Sequence, residues 1–250
     1  MGYTDFMVRL GSMVAAAFGH ARKAIEIGVA VVNYRRPFAG QNRPSTARPG
    51  WTTRPVVLVH GFGHNAGAWN WLADRLTAAG FFDLTAVTYG VQDDVATIAA
   101  RIADEVDRVL ASRSTDRVHL VGHSFGGVAI RYWHDVLGGA AQADAVVTLG
   151  APLQGSPWTR LPLLRRPVRD LAETSAVNQA LGRRGASHAC WTTVGGAFDL
   201  VVPARSAHLD DAEVVDVGTG HAGLLTSRVA GGQVCMALLY AEEIRATASR

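Results

Sequence analysis

Val118-His119-Leu120-Val121-Gly122-His123-Ser124-Phe125-Gly126-Gly127 runs from a short β-branched stretch into a glycine-rich turn, and a helical run follows from Val128 to Leu137. The turn contains the letters GxSxG. In a chain with 27 glycines those letters alone say little, and a glycine-rich loop with an incidental serine is the bland alternative. The flanks decide the matter. A strand ending just before Gly122 and a helix starting just after Ser124 form a sharp strand-to-helix turn that lifts the serine hydroxyl above a sheet. Small neighbours are needed there, and Gly122, Gly126 and Gly127 supply them. The helix start also points its positive end toward any anion that forms beside the serine.

Outward from this turn, β-branched runs alternate with helical periodicity. Strands are expected at Val56 to Val59, Leu84 to Tyr89, Val118 to Val121, Ala145 to Leu149, Cys190 to Val194 and Val214 to Val217. Helices are expected at Ala66 to Ala79, Asp94 to Ala111, Phe125 to Leu137 and Ala230 to Ala248. Val56 to Val59 is continuously apolar, as in a strand covered on both faces. Such alternation predicts an α/β fold, a mostly parallel central sheet with helices on both faces. Residues 153–187 read as partly helical and irregular.

A serine hydroxyl needs a base, and the base needs an orienting acid. In this topology both follow the serine, acid first, each just past a strand end. Asp199 sits shortly after the 190–194 strand and His221 shortly after the 214–217 strand, which makes Ser124, Asp199 and His221 the expected triad. Asp210, Asp211 and His208 precede the last strand and Asp216 lies within it, so they rank lower. His20, His119, His134 and His188 fit surface, packed or loop positions. An oxyanion needs two preorganised donors, each worth about 3 kcal/mol of barrier. The Phe125 amide is one; the Phe62 amide, in the His60-Gly61-Phe62-Gly63-His64 loop after the first strand, is the expected second.

Two patterns compete with this chemistry. His60 and His64 could be taken as an i,i+4 metal pair, but that needs a helix and the intervening glycines oppose one. Gly218-Thr219-Gly220-His221-Ala222-Gly223 matches GxGxxG after a strand, yet a dinucleotide fold needs a further strand carrying an acid, and only a terminal helix remains. No metal and no cofactor are expected.

Composition narrows the rest. The chain has 250 residues, 48% hydrophobic and 18% charged, enough for one large domain with a full core. Net charge is +3, and of 24 basic residues only Lys23 is a lysine. The basic residues are scattered without interleaved aromatics, so no nucleic-acid partner is expected. Cys190 and Cys235 have no CxxC or metal-ligand spacing.

At the N-terminus, Phe6, Leu10, Met13, Ala17, Ala21, Ile25, Gly28 and Val32 recur at helical spacing. This predicts an amphipathic helix over about 5–32, ended at Arg35-Arg36-Pro37 and followed by a linker over 39–54. A helix packed on the domain body is the first expectation, a membrane-surface or partner-binding helix the alternative. The organisation expected is therefore 1–54 as helix and linker and 55–250 as the enzyme domain. No charge-free stretch reaches the ~20 residues a transmembrane helix needs. Asp5 precedes the first basic residue, Arg9, so no signal peptide is expected, although Ala15-Ala16-Ala17 offers a cleavable site. A cytoplasmic or membrane-associated protein is the expectation, with secretion the alternative.

Together Pro55 to Phe62, Asn65 to Gly80, Val118 to Gly127, Thr148 to Pro152 and the Asp199 and His221 neighbourhoods resemble the α/β-hydrolase fold serine esterases and lipases, particularly the bacterial class 2 triacylglycerol lipases. The resemblance spans about residues 55–225. It implies hydrolysis of carboxylic esters with medium to long acyl chains through an acyl-enzyme on Ser124, with His221 as base, Asp199 as its orienting acid, and Phe62 and Phe125 as the oxyanion hole. Acyl transfer or thioester cleavage on the same triad is the alternative, and a non-catalytic binding protein of the same fold a third reading. It also implies a cap or lid over 153–187, in which Leu153 and Trp158 would line the acyl-binding surface. The partner expected is a small-molecule or lipid ester, with peripheral contact to a lipid interface, and the chain is expected to act as a monomer. Two departures stand out: Leu153 occupies a place where many relatives carry histidine, and the N-terminal residues do not read as the clear leader expected of secreted lipases.

Overall fold

The computed structural model describes residues 37–39, 53–113, 115–156, 166–172, 174–182 and 190–248. The expected 5–32 helix, most of the 39–54 linker, Trp158 and part of the 153–187 segment lie outside the described residues.

The strands are β1 (Val56–Val59), β2 (Leu84–Val87), β3 (Val118–His123), β4 (Ala143–Leu149), β5 (Trp191–Gly196) and β6 (Glu213–Val217). The helices are α1 (Asn70–Ala78), α2 (Val95–Arg113), α3 (Phe125–Asp135), α4 (Ala176–Gly182), α5 (Ala204–Ala207) and α6 (Arg228–Ala248). Strand order is β2-β1-β3-β4-β5-β6, and every neighbouring pair is parallel.

Alternation along the strands divides the core into two layers. Val57, Val59, Leu120 and Val146 face α2 and α3, packing on Ile98, Ile102, Ile130 and Trp133. Val56, Leu58, Val121 and Val147 face α1 and α6, packing on Leu72, Leu76, Val234 and Leu238. This two-sided burial is why β1 reads as an unbroken apolar run. The expected 66–79 helix is split: Ala66–Trp69 forms a 3-10 turn, capped by the Asn65 side chain accepting from Gly67 N–H, before α1 begins. Among the described residues, no helix is long and apolar enough to cross a membrane.

At the end of the sheet where the strands begin, His119 is fully buried and its Nε2 lies 3.0 Å from Glu242 Oε1 on α6. The Arg54 backbone N–H donates to the same oxygen at 2.6 Å, and Arg245 pairs with the other. Burial works to raise the Glu242 pKa, but these donors outweigh it and hold the carboxyl down to about 2. This network fastens the last helix to β3 and to the segment entering β1.

At the opposite end the sheet order dictates where a ligand can enter. The chain leaving β1 turns to α1 on one face, while the chain leaving the adjacent β3 turns to α3 on the other. A crevice opens between such divergent loops, outside the carboxyl ends of the strands.

Candidate active site

Ser124 sits at that carboxyl end of the sheet, in the turn between β3 and α3, with φ 51° and ψ −122°. Among the described residues it is the one non-glycine with positive φ. The strained backbone is held by Ser124 N–H donating to Leu149 O at 2.9 Å and by Ser124 O accepting from Gly127 N–H at 3.0 Å. Gly126 passes so close to β1 that a Cβ there would stand 2.3 Å from the carbonyl oxygens of both Val59 and His60.

The turns after β5 and β6 are laced together: Ala197 N–H donates to Val217 O at 2.8 Å and Phe198 N–H to Thr219 O at 3.1 Å. Asp199 and His221 are thereby brought side by side, with Asp199 Oδ2 2.7 Å from His221 Nδ1. His221 Nε2 lies 2.9 Å from Ser124 Oγ. The Asp199 side chain is fully buried, and its Oδ1 accepts from the N–H groups of Val201 and Val202, each at 2.8 Å. A carboxylate only accepts, so the imidazole carries its hydrogen on Nδ1 and turns the Nε2 lone pair to the serine hydroxyl. This arrangement can draw a proton from Ser124 during nucleophilic attack and return it to a leaving group.

The Phe125 amide opens α3, and the Phe62 amide lies in the turn closed by His64 N–H donating to Gly61 O at 3.1 Å. Neither N–H has a hydrogen-bond partner among the described residues. Their rings meet edge-on, centroids 6.0 Å apart, so the two turns are neighbours. Leu153 is 1% exposed and belongs to the core layer of α3, with its carbonyl accepting from Arg131.

The lower-ranked residues have other partners. His208 Nε2 lies 3.1 Å from Asp216 Oδ1, and its Nδ1 is 3.0 Å from Thr193 Oγ1. His134 packs within α3 beside Asp135. His60 stacks on Tyr89 at 4.1 Å, whereas His64 stacks on His123 at 5.6 Å, so the two rings serve different neighbours. Gly218 to Gly223 leads into the 3-10 turn Ala222–Leu225 and then into α6.

Two residues at the site escaped the sequence reading. Gly150, at φ 55°, floors the acid–base pair: a Cβ there would stand 3.2 Å from both Asp199 Oδ2 and His221 Nδ1. Its position at a strand end was the available signal. His123, hidden inside the serine motif, is buried and lies 4.8 Å from the His221 ring.

Burial depresses the basicity of three imidazoles around the serine. His60 falls to about 4, burial outweighing the hydrogen bond to Gly61 O. Burial also lowers His64, with the charge of His221 adding to it, and takes His123 well below the ordinary value of 6.5. Unfolded, each titrates near 6.5, so below that pH the unfolded chain binds protons that the folded one refuses. The stability these groups contribute is complete above pH 6.5 and is lost as pH falls toward 4. Unfolding at pH 5 is expected to be accompanied by net proton uptake through these histidines. The denaturation midpoint measured from pH 7 to pH 5 reads this directly, and a midpoint flat across that range would contradict it.

Residues 56–221 match the model of a family described as alpha/beta hydrolases. No curated protein matches the chain. Among solved structures, it resembles the mature form of the Bacillus licheniformis lipase BlEst2, at 17% identity and a TM-score of 0.60, covering 81% of this chain and 96% of that one. It resembles Aspergillus fumigatus lipase B at 18% identity and a TM-score of 0.60, covering 79% of this chain and 58% of that one. A monoacylglycerol lipase from Paleococcus ferrophilus matches at 17% identity and a TM-score of 0.52, covering 76% of this chain and 95% of that one. At such identities the likeness is one of fold.

Proposed function

The chain belongs to the alpha/beta hydrolase family, and from that premise we propose that it hydrolyses carboxylic esters with medium to long acyl chains, using Ser124 as nucleophile, His221 as base and Asp199 as the acid that orients it. The observation that carries this reading is the pair of contacts from His221, 2.9 Å to Ser124 Oγ and 2.7 Å to Asp199 Oδ2.

In the proposed cycle Ser124 Oγ attacks the ester carbonyl carbon while its proton passes to His221 Nε2. The carbonyl oxygen becomes an anion, received by the amides of Phe62 and Phe125. Collapse expels the alcohol, which takes the proton from His221, and leaves an acyl-serine. Water then attacks the acyl carbon by the same route in reverse and releases the acid.

The preference for longer acyl chains draws its support from the rim. Phe198, Leu200 and Val201, which flank Asp199, are 58%, 64% and 52% exposed. Large apolar side chains left in water beside a nucleophile favour an apolar substrate or a lipid surface over a small polar ester. Peripheral contact with such a surface, and a 153–187 cap in which Trp158 meets the acyl chain, belong to the same proposal; Leu153, packed in the core layer of α3, supports that cap from beneath rather than touching the chain.

A series of p-nitrophenyl esters from acetate to palmitate tests it. Turnover should rise toward the medium and long chains, with a further increase above the solubility limit of the longest esters. An optimum at acetate would remove the chain-length reading, and inertness toward the whole series would remove ester hydrolysis itself.

A further inference from the structure

The proposed reaction needs the base held still with respect to the nucleophile, and side-chain contacts within the triad leave the His221 backbone to be fixed by something else. His221 begins the 3-10 turn Ala222–Leu225, and within that turn its carbonyl receives one long bond, from Leu224 N–H at 3.4 Å. A second and shorter contact comes from across the sheet: His123 Nε2 lies 3.2 Å from His221 O.

We infer that His123 is a positioning residue for the base, donating from Nε2–H to the His221 carbonyl and so tying the loop that carries the base to the last residue of the strand that carries the nucleophile. The inference rests on the hydrolase reading above and adds to it a link through the main chain, separate from the Ser124–His221–Asp199 side-chain contacts.

Four observations support it. A carbonyl oxygen can only accept, so the contact fixes the hydrogen on Nε2 and leaves Nδ1 bare, in keeping with the lack of any partner at Nδ1 among the described residues. The ring is 1% exposed, so water cannot take over the bond. It is braced on both sides, parallel to His64 at 5.6 Å and tilted against His221 at 4.8 Å. Burial, followed by the charges of His221 and His64, suppresses its protonated form. That last property suits the task. Lysine or arginine would also donate to the carbonyl but would set a permanent charge beside the imidazolium that forms at His221, whereas a neutral imidazole donates without repelling it.

The tests separate donor from bulk. His123→Phe keeps a ring and loses the donor; His123→Gln keeps a donor at the Nε2 position and loses the ring. On a soluble ester, His123→Phe should lower kcat by about 30-fold with KM within about twofold of wild type, the mark of lost preorganisation rather than lost binding. Labelling of Ser124 by a fluorophosphonate should slow in parallel, and His123→Gln should recover most of both rates. Equal labelling of wild type and His123→Phe would overturn the inference, and so would equal losses in two folded variants. A wild-type protein that ignores both ester and fluorophosphonate would instead count against the hydrolase reading. A further measurement needs no variant: long-range proton–nitrogen correlation of the wild-type imidazoles at pH 7 should show His123 protonated on Nε2 and bare on Nδ1. The opposite tautomer cannot donate to His221 O and would overturn the inference even if His123→Phe does not fold.

Discussion

Ser124→Ala is expected to lower kcat for ester hydrolysis by about 10⁴- to 10⁶-fold and to abolish covalent labelling by a fluorophosphonate. Without Oγ the imidazole of His221 has no hydroxyl 2.9 Å away to deprotonate, and no acyl-enzyme forms. What remains is the rate supplied by substrate binding and by the Phe62 and Phe125 amides acting on a bound water's attack. Folding should be little affected, since the Cβ stays and the backbone bonds to Leu149 and Gly127 do not involve the hydroxyl. An alanine variant that turns over ester within tenfold of wild type would dismiss the serine mechanism.

Gly126→Ala is expected to damage the fold itself. The added methyl would stand 2.3 Å from two carbonyl oxygens, Val59 O and His60 O, and both belong to main chain at the end of β1. Flexible side chains can swing aside; a central strand cannot. Overpacking against backbone on this scale should cost about 3 kcal/mol or more, which for a chain of this size lowers Tm by about 10 °C or prevents folding. Gly232→Ala provides the contrast. It lies in α6 with open space around the added carbon, where alanine should be neutral or stabilising by about 0.5–1 kcal/mol. Thermal unfolding of the two variants side by side decides the point; equal midpoints would mean that the serine turn is looser than its contacts imply.

Much of the architecture could be read from residue patterns because those patterns are local. Val56 to Val59 is apolar throughout since it is covered on both faces, and the glycines around Ser124 mark a place where backbones nearly touch. Element ends were less legible. The β3 ladder continues through Gly122 and His123, which pair with Thr148 and Leu149; neither glycine nor histidine signals strand by itself, so the extension depends on the neighbour. The short helix α5 follows Pro203 in a segment with no periodicity to detect. Ser124, Asp199 and His221 were identifiable as candidates because each lies beside a strand end in a fixed order. His123 was not, because its contact with His221 joins residues 98 positions apart and exists only once β3 and the loop after β6 face each other. The expected 5–32 helix and Trp158 lie outside the described residues.

The polar cluster of His119, Glu242 and Arg54 stands at the opposite pole of β3 from Ser124, five residues or about 16 Å along the strand. At that separation, with no shared contacts, mutational free energies should sum almost independently. An engineer could therefore reinforce the lower pole for heat tolerance and reshape the upper rim for new substrates in separate libraries, then merge the winners with little epistasis between them.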